Sequence, residues 1–111
     1  MIVRVWHGWA SSADARAYED HFKTEVLRHL KQIDGFRAAQ LWRRGGQGEV
    51  EFVAVTSYES IDSVRAFAGS DYERAVVEPQ ARRVLLRFDE RCKHYELAVS
   101  GTDTEEARGG E

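Results

Sequence analysis

The chain has 111 residues, 42% hydrophobic and 32% charged, with a formal net charge of −3. These values fit one soluble globular domain and exclude a disordered chain. Asp103, Glu105, Glu106 and Glu111 against Arg108 account for the whole net charge, so residues 1–99 are neutral and carry no basic footprint for nucleic acid or an anionic membrane.

A lone cysteine, Cys92, has no internal partner for a disulfide, which points to a reducing compartment. No apolar run approaches the roughly 20 residues that span a bilayer. The N-terminus opens as an alternating strand rather than as a signal peptide. A cytoplasmic protein without membrane or nucleic-acid partners is expected.

Residues 2–9, rich in Val, Ile and Trp, predict a first strand. Ser11 or Ser12 is placed to cap the helix that follows, with Asp14 in its first turn. Tyr18, Phe22, Val26, Leu30 and Ile33 recur at spacings of four and three, one apolar stripe on a helix ending near Asp34-Gly35. Phe36 to Arg44 predicts a second strand, and Gly45-Gly46-Gln47-Gly48 its hairpin turn. A phosphate loop is not expected at these glycines, because no Lys-Ser/Thr follows and the next element is a strand.

The third strand, Glu49 to Tyr58, puts Phe52 and Ala54 on one face and Val53 and Val55 on the other, so both faces need covering. Ser60 caps a second helix with Ile61, Val64, Phe67 and Ala68 as its buried stripe and Gly69 at its end. Ser70-Asp71-Tyr72-Glu73 has the capping-box pattern and predicts a short helix to about Val77, broken by Pro79. Residues 84–88 read either as an extended connector or as a helical turn. A last strand is expected over 92–99, and an acidic, disordered tail over 100–111.

The order strand, helix, strand, strand, helix, strand is the split βαβ pattern of an α+β, ferredoxin-like βαββαβ domain over residues 1–99 with a four-stranded antiparallel sheet. That topology pairs the fourth strand with the first and brings His7 and His94 to one end of the sheet. Two helices cover one face, so the other, also apolar in the third strand, is expected to pack on a second copy around a two-fold axis.

Across residues 1–99 the sequence resembles the dimeric α+β barrel superfamily, in particular its antibiotic-biosynthesis-monooxygenase-like branch. The resemblance rests on Val5-Trp6-His7-Gly8, Gly35-Phe36-Arg37, Thr56-Ser57-Tyr58-Glu59-Ser60, Ala66-Phe67-Ala68-Gly69 with Ser70-Asp71-Tyr72, and His94-Tyr95-Glu96. It implies a homodimer whose subunits each hold a small aromatic or polyketide-like ligand between sheet and helices, oxidised by O₂ without a cofactor. The alternative is a non-catalytic, small-molecule-binding or stress-related homodimer of the same fold. Relatives that degrade haem have an Asn where this chain has His7, a Trp at Phe67 and an axial His at Val77, so haem chemistry by that route is not expected.

Such chemistry needs a base and an apolar cavity, and His7 is the candidate base. It shares a strand face with Val3 and Val5, and that face is expected to look toward the helices. Tyr18, Phe22 and Phe67 would wall the cavity, with Trp42, Tyr58, His94 and Tyr95 as further wall or hydroxyl donors. A histidine so placed is more commonly a core residue bonded to a backbone carbonyl, and His94 reads also as a cross-strand partner or dimer contact. His21, Glu25 and His29 recur every four residues, a spacing that suits a metal and, more commonly, a solvated helix face; no metal is expected.

Overall fold

The computed structural model describes residues 1–102. Strands β1 (Ile2–Ser11), β2 (Phe36–Gly45), β3 (Glu49–Tyr58), β4 (Leu85–Phe88) and β5 (Lys93–Glu96) form one antiparallel sheet. Its order is β2-β3-β1-β4, with β5 also on β1. The sheet thus has five strands rather than four, because the last strand is interrupted. β4 pairs with Gly8–Ala10 and β5 with Ile2–Val5, both antiparallel to the same edge of β1. The extra residues of the break turn around the His7 carbonyl, which accepts from Asp89 N at 2.9 Å. The tail expected over 100–111 lies outside the described residues from 103 onward.

Helix α1 (Ala15–His21) runs through a π-helical turn (Phe22–Val26) into α2 (Leu27–Lys31), making one continuous helix. Ser11 does serve its start: its Oγ accepts from Asp14 N at 3.1 Å. Helix α3 (Ile61–Ala68) is capped as its sequence indicates, with Ser60 Oγ accepting from Ser63 N at 3.3 Å. The short helix expected from Ser70 to Val77 does not form. Residues 71–74 make a single turn, with Arg74 N donating to Asp71 O at 3.0 Å, and residues 73–75 then pair with 90–92, with Cys92 N donating to Glu73 O at 2.6 Å and Ala75 N to Glu90 O at 2.8 Å. These backbone groups are therefore taken by a neighbouring segment instead of a further helical turn. Pro79 opens a helix rather than ending one: α4 (Pro79–Val84) has proline in its first turn, where a missing N–H costs nothing.

Along β1, Arg4, Trp6, Gly8 and Ala10 are buried, facing the helices. Gly8 stands there because Trp6 leaves no room: a Cβ at Gly8 would lie 2.4 Å from Cη2 of the indole. The same side of β3 carries Phe52 and Tyr58, both fully buried. Phe52 packs with Trp6, Tyr18 and Phe22, and Tyr58 with Leu30 and Val64. Burial of each such side chain contributes about 1.5–3 kcal/mol.

Among the described residues no helix lies on the opposite face of the sheet, whose centre is apolar as well. Val53 of β3 lies between His7 of β1 and Trp42 of β2, and Val55 between Val5 and Gln40. Val5, Val53 and Val55 are only partly buried there and Trp42 is 55% exposed. Among the described residues no helix is long and apolar enough to cross a membrane.

Candidate functional site

Between the sheet and the helices lies a cavity of about 50 Å³. Its walls are largely aromatic: Trp6 from β1, Tyr18 and Phe22 from the long helix, Phe67 from α3. Tyr18 sits at 6.0 Å from Trp6 and 5.0 Å from Phe52, ring centre to ring centre. Trp6 is fixed by its Nε1–H, which donates to Asp89 O at 2.9 Å. Val76 and Val77, from the segment before α4, close another side.

Four polar side chains reach this apolar space: Arg4, His21, Thr56 and Cys92. Burial pushes the Tyr18 hydroxyl well above the ordinary phenol range and raises the Cys92 thiol, so both walls stay protonated and uncharged at neutral pH. Cys92 therefore has little thiolate character. Arg4 is 4% exposed and donates through Nη1 to Tyr72 O and through Nη2 to Arg74 O, the latter at 2.9 Å. Its Nη1 also lies 3.1 Å from His94 Nε2. A guanidinium can only donate, so Nε2 accepts and the imidazole proton sits on Nδ1. Burial, and then the Arg4 charge, hold His94 below the usual histidine range, which keeps it neutral as an acceptor.

The expected site residues divide between the two faces of the sheet. Tyr18, Phe22 and Phe67 line the cavity. Tyr58 lies just behind Phe67, with ring centres 6.4 Å apart, fully buried and with its hydroxyl raised by burial. His94 stands behind Arg4 and meets Tyr72 edge-on at 5.1 Å.

His7 departs from its expected orientation. The phase of β1 turns it away from the helices, and its Nδ1 is 3.0 Å from Glu51 Oε2 on the open face, beside Trp9. The reason is steric and apolar together: Trp6 and Ala10 fit under the helices, whereas both phases of the strand are apolar enough for either to have been the inner one. Trp42 and Tyr95 share the open face with His7, Tyr95 pairing with Val3. His7 and His94 therefore lie on opposite sides of the sheet.

None of the cavity's four polar side chains was singled out for this site by sequence: Arg4 and Thr56 drew no reading, Cys92 only that of an unpaired thiol, and His21 only that of a row with Glu25 and His29. The π turn separates that row. His21 faces the cavity and lies 6.2 Å from Tyr18, Glu25 pairs with Arg28, and His29 packs on Phe67 at 5.0 Å. Phe67 and Val77, both on the cavity wall, have no donor atom for an iron.

No protein-family model matches the chain, and no curated protein matches it in sequence. Solved structures do. A candidate antibiotic biosynthesis monooxygenase from Bacillus cereus superposes with a TM-score of 0.67 at 14% identity, over 95% of this chain and 98% of that one. The haem-degrader MhuD of Mycobacterium tuberculosis, with two haems in its active site, gives 0.60 at 20% identity over 92% and 100%. SnoaB, a cofactor-independent oxygenase from Streptomyces nogalater, gives 0.55 at 14% over 94% and 98%. At these identities the likeness speaks for the fold. This chain has the α+β, ferredoxin-like fold of these antibiotic-biosynthesis-monooxygenase-like structures.

Proposed function

We propose that the protein is a cofactor-independent monooxygenase of a small aromatic or polyketide-like molecule, bound in the sheet-to-helix cavity of each subunit of a homodimer. The observation that carries this reading is the lining of the cavity, four aromatic rings around a few convergent polar groups; its 50 Å³ is smaller than a ring, so wall side chains have to move apart to admit one. The likeness in fold to a cofactor-independent oxygenase supports it. A phenol or naphthol reacts with O₂ once deprotonated, because the anion gives up an electron readily. The protein's share is then to remove a proton, hold the ring and keep water away. With His7 on the other face, His21 is the base within reach of a bound ring. For a naphthol the balance is substrate plus O₂ to quinone plus water, one oxygen atom entering the ring and the other leaving reduced.

A second reading, a non-catalytic binder, is favoured by the uncharged state of the Tyr18 and Cys92 walls, which leaves a single base in the cavity. Oxygen uptake and quinone absorbance, followed with anthrone and 1-naphthol, separate the two. Turnover above the spontaneous rate is expected, with kcat lowered by about 10²–10⁴ in His21→Gln. Binding of these compounds with no excess oxygen uptake would leave the non-catalytic reading standing and remove the first.

A further inference from the structure

Arg4 is a buried cation that the fold orients but does not neutralise. Among the described residues no carboxylate pairs with it, and Glu73, the residue between its two carbonyl partners Tyr72 and Arg74, is engaged by Arg91 at 3.4 Å. Its acceptors are two backbone carbonyls and a neutral imidazole. A phenyl face, Phe67, lies 5.7 Å from the guanidinium carbon. Charged side chains are rarely buried to this degree without an opposite charge, because the loss of hydration is not returned by neutral partners alone.

The hydrogens of the guanidinium show what is left over. Nη1 uses both of its N–H groups, on Tyr72 O and His94 Nε2, and Nη2 uses one, on Arg74 O. Nε–H and the second Nη2–H have no acceptor among the described residues. Nε–H and Nη2 share one edge of the planar group, the edge whose geometry matches the two oxygens of a carboxylate. Arg4 belongs to the cavity wall, next to Thr56 and across from the rings of Phe22 and Phe67.

From this we infer that the cavity is built for an anionic aromatic molecule, an aromatic carboxylate or a comparably acidic enol, whose oxyanion takes the free edge of Arg4 while its ring lies among Trp6, Tyr18 and Phe22. The inference rests on the reading of the cavity as a binding site and adds the charge of the ligand to it. Tyr72, Arg74 and His94 are positioning groups: they hold the guanidinium flat against the end of the cavity and leave one edge open.

The test is a titration of the full chain with 2-naphthoate and with its uncharged isostere 2-naphthamide, followed by ¹H–¹⁵N NMR. The Trp6 indole N–H reports from the cavity wall, whereas Trp9 and Trp42 report from the other face of the sheet. Both probes should shift the Trp6 signal, with naphthoate binding about tenfold or more tightly. Arg4→Met should abolish that preference and Arg4→Lys retain part of it. Equal affinities in the wild type, or a preference that survives in Arg4→Met, would overturn the inference while leaving the binding site intact. If neither probe moves Trp6, the binding reading and the inference fall together. Should Arg4→Met not fold, the naphthoate-to-naphthamide ratio of the wild type decides alone.

Discussion

His94 shows how one side chain can carry a pH signature without touching a ligand. Its Nε2 accepts from Arg4, and its Nδ1 is buried with no partner among the described residues. Burial and the neighbouring charge lower its folded-state pKa below the ordinary value of about 6.5. The unfolded chain then binds the proton more readily than the folded one. Stability is full above the unfolded value, falls as pH drops from about 6.5 toward the folded value, and levels off below it. In His94→Gln the amide oxygen can still accept from Arg4, but nothing titrates. Urea midpoints measured between about pH 7 and pH 5 should therefore fall more steeply for the wild type than for this variant. Parallel curves would show that His94 contributes no linkage.

At the scale of elements, the join between β2 and α3 depends on a glycine. Gly35, in the turn between α2 and β2, has φ +90°, and a Cβ there would lie 2.0 Å from Ser63 Oγ and 3.0 Å from its Cβ. Its carbonyl accepts from Glu59 N at 2.8 Å, tying the start of β2 to the cap of α3. Gly35→Ala should cost about 2–4 kcal/mol by chemical denaturation. Adding Ser63→Gly should recover the steric part and leave the strain of positive φ. Elements of this kind were legible in the sequence: the Ser60 cap, the turn at Gly45–Gly48 and the long apolar stripe each depend on neighbours close along the chain. What was not legible depends on distant ones. Residues 73–75 follow their pairing with 90–92 and not their capping-box pattern. The phase of β1 was equally hidden, since Val3, Val5 and His7 look no less fit for a core than Arg4, Trp6 and Gly8. A buried arginine contradicts the usual ranking of inner residues, and this is why Arg4 escaped sequence reading.

For the whole molecule, the uncovered face of the sheet is the surface on which the proposed homodimer would form. Val5, Val53, Val55 and Trp42 form a continuous apolar surface, edged by Arg87, which bonds Glu49 at 2.8 and 3.0 Å and lies 4.7 Å over Trp9. A second copy packed there, burying about 800 Å² per subunit, makes an ordinary stable interface. Sedimentation should find a dimer at micromolar concentration, and Val55→Arg should convert it to a monomer while the cavity on the far side stays formed. A wild-type monomer would remove the assembly argument. β1 lies between the two functions, a single layer of backbone with Arg4, Trp6, Gly8 and Ala10 toward the cavity and Val3, Val5, His7 and Trp9 toward the bare face. Substitutions stepped along this strand should then sort into two interleaved phenotypes with a period of two, even positions altering what the protein holds and odd positions altering how many copies hold it. Under the proposed site and dimer, alternate residues of this ten-residue strand serve two traits that selection can tune separately.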